Sequence, residues 1–131
     1  ERDLRELGLE RDVALLGFDQ NPFKFMARAQ LLIHASRAEG LPGAMIQAMA
    51  CGTPVVSTDC DFGPREVITS GKDGFLVEVG DAGALARRAL ELLGDRALAQ
   101  RMSSEARRSA QRFTTAAALA RYQAAITGEA A

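Results

Sequence analysis

The sequence has 131 residues, 47% of them hydrophobic and 25% charged, with a formal net charge of -1. This is the profile of an ordinary globular domain, long enough for one real core and too short for two. It excludes a strongly basic nucleic-acid binder and, with no apolar run near ~18 residues, a membrane-spanning helix.

The chain opens on ERDLRELGLERD, where Leu4, Leu7 and Leu9 follow the pattern of a helix tail and no signal-peptide core is present. The sequence is therefore expected to be a piece of a longer protein. Four strand candidates follow: residues 13–18 (VALLGF), 31–36 (LLIHAS), 54–58 (PVVST) and 74–79 (GFLVEV). Continuous apolar strands, rather than alternating ones, suit a parallel sheet covered on both faces. Helices are expected over residues 22–28 and 42–50, with a short turn near 65–68, and this alternation points to an α/β layered domain. Past Val79 the pattern becomes helical. Asp81 reads as an N-cap before an inward stripe of Leu85, Ala89, Leu92 and Leu93. Asp95 caps a second stripe of Leu98, Met102, Ala106, Ala110 and Phe113, and Leu119, Tyr122 and Ile126 mark a last helix.

Charge is uneven: from Leu85 onward eight arginines stand against four acids, a balance of +4, while the earlier part carries -5. A solvated basic helix face accounts for this; peripheral contact with an anionic membrane surface is the alternative. Cys51 and Cys60 have no C-x-x-C spacing and no His-rich company, so neither a structural zinc nor a disulfide framework is expected. Reduced thiols fit a cytoplasmic protein, with the inner membrane face as its peripheral contact.

The informative stretch is residues 36–60, SRAEGLPGAMIQAMACGTPVVSTDC. Ligands of parallel α/β sheets bind at the carboxyl ends of the strands, and LLIHAS delivers the chain to that edge at RAEGLPG. Pro42 suits the first helical position. The amides of Gly43, Ala44 and Met45 would then leave the helix start with its positive dipole end behind them, a seat for phosphate. Gly40 and Gly43, on either side of Leu41 and Pro42, let a ligand approach the backbone. Met45, Ile46, Met49 and Ala50 are expected to face the core. Gln47 sits one turn behind Gly43 and leans toward the helix start, while Glu39 approaches from the preceding turn. Spacing alone leaves two readings: polar groups flanking an anion seat, or a capping turn with Glu39 in solvent and Gln47 on an outer face.

EGLPGAMIQAMACGTPVVSTDC, followed by GPREVI, GKDGFLV and GD, closely resembles the C-terminal donor-binding domain of retaining GT-B glycosyltransferases, the large family 4 (glycosyl transferases group 1). The likeness runs from about Leu4 to the C-terminal helices. It implies a Rossmann-like parallel sheet with helices on both faces, residues 1–131 forming one donor-binding domain incomplete at its N-terminal side. It implies transfer from a nucleotide-diphosphate sugar, a UDP sugar by expectation, to a glycan or lipid-linked acceptor, with no metal required. The family signature is a glutamate, seven residues and a second glutamate. By resemblance, Glu39 holds donor-sugar hydroxyls and is the catalytic candidate, while residues Gly40, Leu41, Pro42, Gly43, Ala44 and Met45 receive the diphosphate. The second glutamate binds ribose hydroxyls, and its place is taken by Gln47. An amide has one acceptor oxygen where a carboxylate has two with charge assistance, so the ribose grip is expected to soften by about 1–2 kcal/mol, roughly tenfold.

Gly17 and Phe18 match the family's LG-aromatic strand end beside the nucleotide base, although Phe18 also reads as core. Gly63 and Glu66 match a Gly-Pro-x-Glu loop near the donor; capping of the following turn is the other role open to Glu66. His34 reads as a satisfied core histidine facing the cleft edge, with substrate contact as the alternative. Asp59-Cys60-Asp61 spells a D-x-D, but it falls where the family carries a DCP-x-GP loop, so no metal role is assigned.

In this family the Arg and Lys that neutralise the departing diphosphate lie upstream of the matched segment, so the chain by itself is expected to bind donor weakly and turn over little. Doubly wound domains order their strands 3-2-1-4-5-6. By resemblance, the chain would supply strands 3, 4, 5 and 6, with strand 3 (residues 13–16) separated from strand 4 (residues 31–34) by two strands. Bare edges of that kind leave three outcomes: the missing strands exist in the full protein, the fragment repacks, or it pairs with a second copy. Two rivals remain: a GT-B sugar-nucleotide 2-epimerase, which calls for more acid/base residues than one histidine, and a binding module that has lost transfer.

Overall fold

The structure, a computed structural model, describes residues 2–128. In chain order it holds α1 (Arg2–Glu6), α2 (Phe23–Met26), β1 (Leu32–His34), α3 (Gly43–Cys51), β2 (Val55–Thr58), α4 (Pro64–Val67), β3 (Phe75–Val77), α5 (Ala82–Gly94), α6 (Arg96–Ala110), a 3-10 turn (Gln111–Phe113) and α7 (Thr115–Thr127). The three strands are parallel in the order β1-β2-β3, with Ile33 opposite Val56 and Ser57 opposite Leu76.

β2 is the centre of the molecule. Val55 and Val56 point to opposite faces and both are fully buried, as are Ser57 and Thr58 after them, so the strand is covered on both sides rather than alternating between core and solvent. On one face Val55 packs with Met45, Ala48 and Met49 of α3, with Val67 of α4, and with Ala106 and Ala110 of α6. On the other, Val56 and Phe75 pack with Leu92 of α5 and Met102 of α6. Each large side chain removed from water here contributes about 1.5–3 kcal/mol. The helices therefore cover both faces, as expected.

Capping works as the sequence implies. Asp81 Oδ1 accepts from the Ala84 N–H at 2.7 Å, Asp95 Oδ1 from Leu98 at 2.9 Å, and Thr114 Oγ1 from Ala117 at 3.3 Å. The second stripe is inward as expected, whereas in the first Leu93 turns out to be exposed, as does Ala50 on α3. Leu119, Tyr122 and Ile126 do lie on a helix, but α7 has no buried residue.

Residues 13–18 form no strand, which corrects the expectation. Leu15, Leu16 and Phe18 are exposed, Phe18 at 93%. A strand needs a ladder partner for its N–H and C=O groups, and the outer edge of β1 has none among the described residues. With no strand between it and β1, the segment stays solvated. The sheet thus consists of the three strands that can pair directly. No helix among the described residues is long and apolar enough to cross a membrane.

The GKDG turn is held from inside. Asp73, 1% exposed, accepts from the Thr69 N–H at 2.7 Å and from Ser109 Oγ at 2.5 Å, fixing the approach to β3 against α6. Asp73→Ala removes both hydrogen bonds of the buried carboxylate and should lower unfolding free energy by about 2–3 kcal/mol, read from the urea midpoint, since hydrogen bonds to charged groups are of about that size.

Candidate functional site

The carboxyl ends of β1 and β2 form one edge, and the chain leaves it through two turns that touch. The first, residues 35–42, leads into α3; the second, residues 59–63, leads into α4. Thr58 at the end of β2 donates its hydroxyl to the Ser36 carbonyl at 2.5 Å, tying the first turn to the second strand. Gly63 sits at φ +88, and a Cβ placed there would come within 2.1 Å of the Gly40 carbonyl oxygen and 2.7 Å of Pro42 Cδ. Only glycine permits both that backbone and that contact.

α3 starts one residue later than expected. Pro42 is the N-cap, with φ -76 and ψ 85, and Gly43 is the first helical residue. The Pro42 carbonyl accepts from Met45 at 3.0 Å and from Ile46 at 3.3 Å. The Met45 amide is therefore engaged, and the sequence expectation of three open amides is corrected to two, Gly43 and Ala44. Neither has an acceptor among the described residues, and no side chain caps this end. Pro42 and Met45 are buried, while Gly40, Leu41, Gly43 and Ala44 are exposed.

Glu39 is not a solvated turn residue: its side chain is 25% exposed. Its Oε1 accepts from Ser36 Oγ at 2.6 Å and lies 3.2 Å from Nε2 of His34. The His34 side chain is 15% exposed, and its Nδ1 lies 3.5 Å from Ser57 Oγ on β2. Gln47 is exposed on α3, with no side-chain hydrogen bond to the described residues.

In the second turn Asp61 is exposed and acts only through its charge on Arg65, whereas Asp59 and, just beyond the turn, Glu66 are engaged. Asp59 pairs with Arg65 at 2.6 Å, and the hydrogen bond, reinforced by the charge, raises the guanidinium above its usual range. Glu66 Oε1 accepts from the Gly63 N–H at 3.4 Å, which is the capping role. Gly17 and Phe18 lie in the exposed segment outside the sheet, not at a strand end. The structure therefore brings together Glu39, the residues 40–45 and Gly63, leaves Glu66 closing its own turn, and puts Gly17 and Phe18 in an exposed segment that forms no strand. Sequence reasoning missed Ser36, Ser57 and Thr58. The available signal was the hydroxyl residues that end the apolar runs LLIHAS and PVVST.

The family model of glycosyl transferases group 1 matches residues 1–109. The N-acetylgalactosamine-N,N'-diacetylbacillosaminyl-diphospho-undecaprenol 4-alpha-N-acetylgalactosaminyltransferase of Campylobacter jejuni is 36% identical over 110 residues, covering 84% of this chain and 30% of that protein. Among solved structures, Anabaena HepE in complex with UDP superposes with a TM-score of 0.90 at 29% identity, covering 97% of this chain and 35% of that one. Staphylococcus aureus TarM, in complex with fondaparinux, alpha-GlcNAc-glycerol and UDP, does so with 0.87 at 30%, covering 93% and 25%. The chain thus spans about a third or less of each of these relatives.

Gly63→Ala should break the contact between the two turns. Left-handed backbone costs a non-glycine residue about 1–2 kcal/mol, and the Gly40 carbonyl must also move. The expected result is a melting temperature several degrees lower, with amide exchange at Met45 and Ile46, whose N–H groups bond to the Pro42 carbonyl, accelerated.

Proposed function

The chain belongs to the glycosyl transferases group 1 family, and from that premise we propose that it is the donor-binding part of a glycosyltransferase. It receives a nucleotide-diphosphate sugar, a UDP sugar, and its glycosyl group passes with retention to a glycan or lipid-linked acceptor. The observation that carries this reading is the open amino end of α3, two unpaired amides beside a held carboxylate. The diphosphate takes the Gly43 and Ala44 amides and the positive end of the helix. Glu39 accepts hydroxyls of the sugar, and Gln47 meets the ribose. The likeness to HepE, solved with UDP and with UDP-glucose, supports the choice of nucleotide.

Charge develops on the leaving diphosphate as the glycosidic bond lengthens, and fixed donors aimed at that charge are a large source of acceleration. The helix start does this work here without a metal. Gln47 favours a second reading, a module that binds donor without transferring.

Three results test the proposal in the complete protein. Transfer from a panel of UDP sugars should survive EDTA; abolition by chelation would contradict the metal-free scheme. Glu39→Gln should lower kcat/KM by at least about 100-fold, the scale for losing a charged transition-state contact. Gln47→Glu should tighten UDP binding about tenfold by calorimetry; equal or weaker binding would count against the ribose role. Donor binding with no transfer or hydrolysis in any arm would support the second reading.

A further inference from the structure

We propose that His34 is a positioning residue that sets which oxygen of Glu39 faces the sugar, an inference that rests on the donor site proposed above. Two donors converge on a single oxygen: Ser36 Oγ at 2.6 Å and His34 Nε2 at 3.2 Å both meet Oε1 of Glu39. Oε2 has no partner among the described residues. A carboxylate bound twice on one oxygen cannot swing freely about its terminal torsion, so its second oxygen keeps one direction.

His34 can do this because it is itself held. It is the last residue of β1, and its backbone is fixed by the ladder to β2 opposite Ser57. Its Nδ1 faces the Ser57 hydroxyl at 3.5 Å, on the side away from Glu39. Ser57 is fully buried, and its rotatable hydroxyl, 2.9 Å from the Thr58 carbonyl, can turn its hydrogen to Nδ1 instead, which leaves the ring proton on Nε2. The ring therefore spans from the centre of the sheet to the turn, with Nε2–H as the hydrogen-bond donor to the carboxylate. A core histidine with no task at the edge would not need a side chain 15% exposed against a carboxylate 25% exposed. The chain has no other histidine, and Ser36 reaches Glu39 from the turn, itself tied to β2 only through its carbonyl, so His34 is the strand side chain that meets Glu39 directly.

Positioning of this kind acts on the sugar and leaves the diphosphate alone, because the Gly43 and Ala44 amides are set by α3. That separation makes the role measurable. Calorimetry on the complete protein compares UDP with the best-binding member of a panel of UDP-glucose, UDP-galactose and UDP-N-acetylglucosamine. His34→Leu should weaken the UDP sugar about tenfold, the loss of one charge-assisted hydrogen bond, with UDP unchanged within about twofold. His34→Gln, whose amide nitrogen reaches the same place, should return the UDP sugar to within about threefold of wild type. Ser36→Ala removes the other donor to Oε1 without touching the core, carries the same expectation, and keeps the test open if His34→Leu does not fold. An equal loss for both ligands would mark a purely structural histidine and overturn the inference, as would an unchanged ratio or a Gln variant as weak as Leu. A wild type that binds neither UDP nor any UDP sugar would refute the donor site itself, and a wild type that binds them separates that failure from this one.

Discussion

The carboxyl end of α3 is fastened to α6, and that fastening decides where its amino end points. Arg107 donates to the Cys51 carbonyl at 3.1 Å and Ser103 to the Gly52 carbonyl at 2.6 Å. Gly52 closes the helix in the left-handed conformation at φ 79, and the Arg107 guanidinium lies where a Cβ would have been. A cation over the last carbonyls complements the dipole. With Met45 and Met49 buried under β2 and the far end clamped, α3 cannot roll or slide. Its first amides are left facing the strand-end edge, where no described residue of the chain satisfies them. In most helices that would be a fault to be capped; here the cap has to come from outside.

The two turns at that edge are complementary in charge as well as shape. Of the acids there, Asp59 is neutralised by Arg65, and Glu66 spends one oxygen on its own helical turn. Glu39 alone of these three is drawn back to the sheet, and it keeps one oxygen free. Of the four acids at this edge, Asp61 is the one left exposed without a hydrogen bond to the described residues, so an anion arriving at the helix start meets three carboxylates already engaged. Gly63 makes this arrangement compact by bringing the second turn against the Gly40 carbonyl, so the neutralised Asp59–Arg65 pair and the open amides belong to one small surface.

Much of this was legible in the sequence, and the losses have a common cause. Apolar continuity gave the three paired strands and the stripes of α5 and α6, since burial on both faces leaves a clear mark. Leu93 and Ala50 failed because a helix face is wider than its buried line, and apolar residues at its margin remain wet. The residues 13–18 failed for a different reason: their pattern is that of a strand, but a strand exists only beside another, and a local pattern cannot report whether its partner is present. At the site, the glycines and Glu39 could be read from spacing and likeness. The holding of Glu39 by Ser36 and His34 could not, because it depends on the register between β1 and β2 that brings Ser57 opposite His34.

That contrast also explains why the two polar positions of the signature differ in what a substitution disturbs. Glu39 is woven into the fold: it is partly buried, its Oε1 is shared by two donors, and a change there disturbs the turn as well as any ligand. Gln47 is exposed and bonded to nothing described in the chain. Replacing a carboxylate by an amide on the outer face of a helix alters neither packing nor capping, and both residues have good helix propensity. The fold is therefore indifferent to the Glu-to-Gln difference at this position, and its whole effect falls on whatever the side chain meets from outside. A helix whose core face, far end and start are all fixed elsewhere leaves its outer position free to change, and ligand chemistry alone sets the cost.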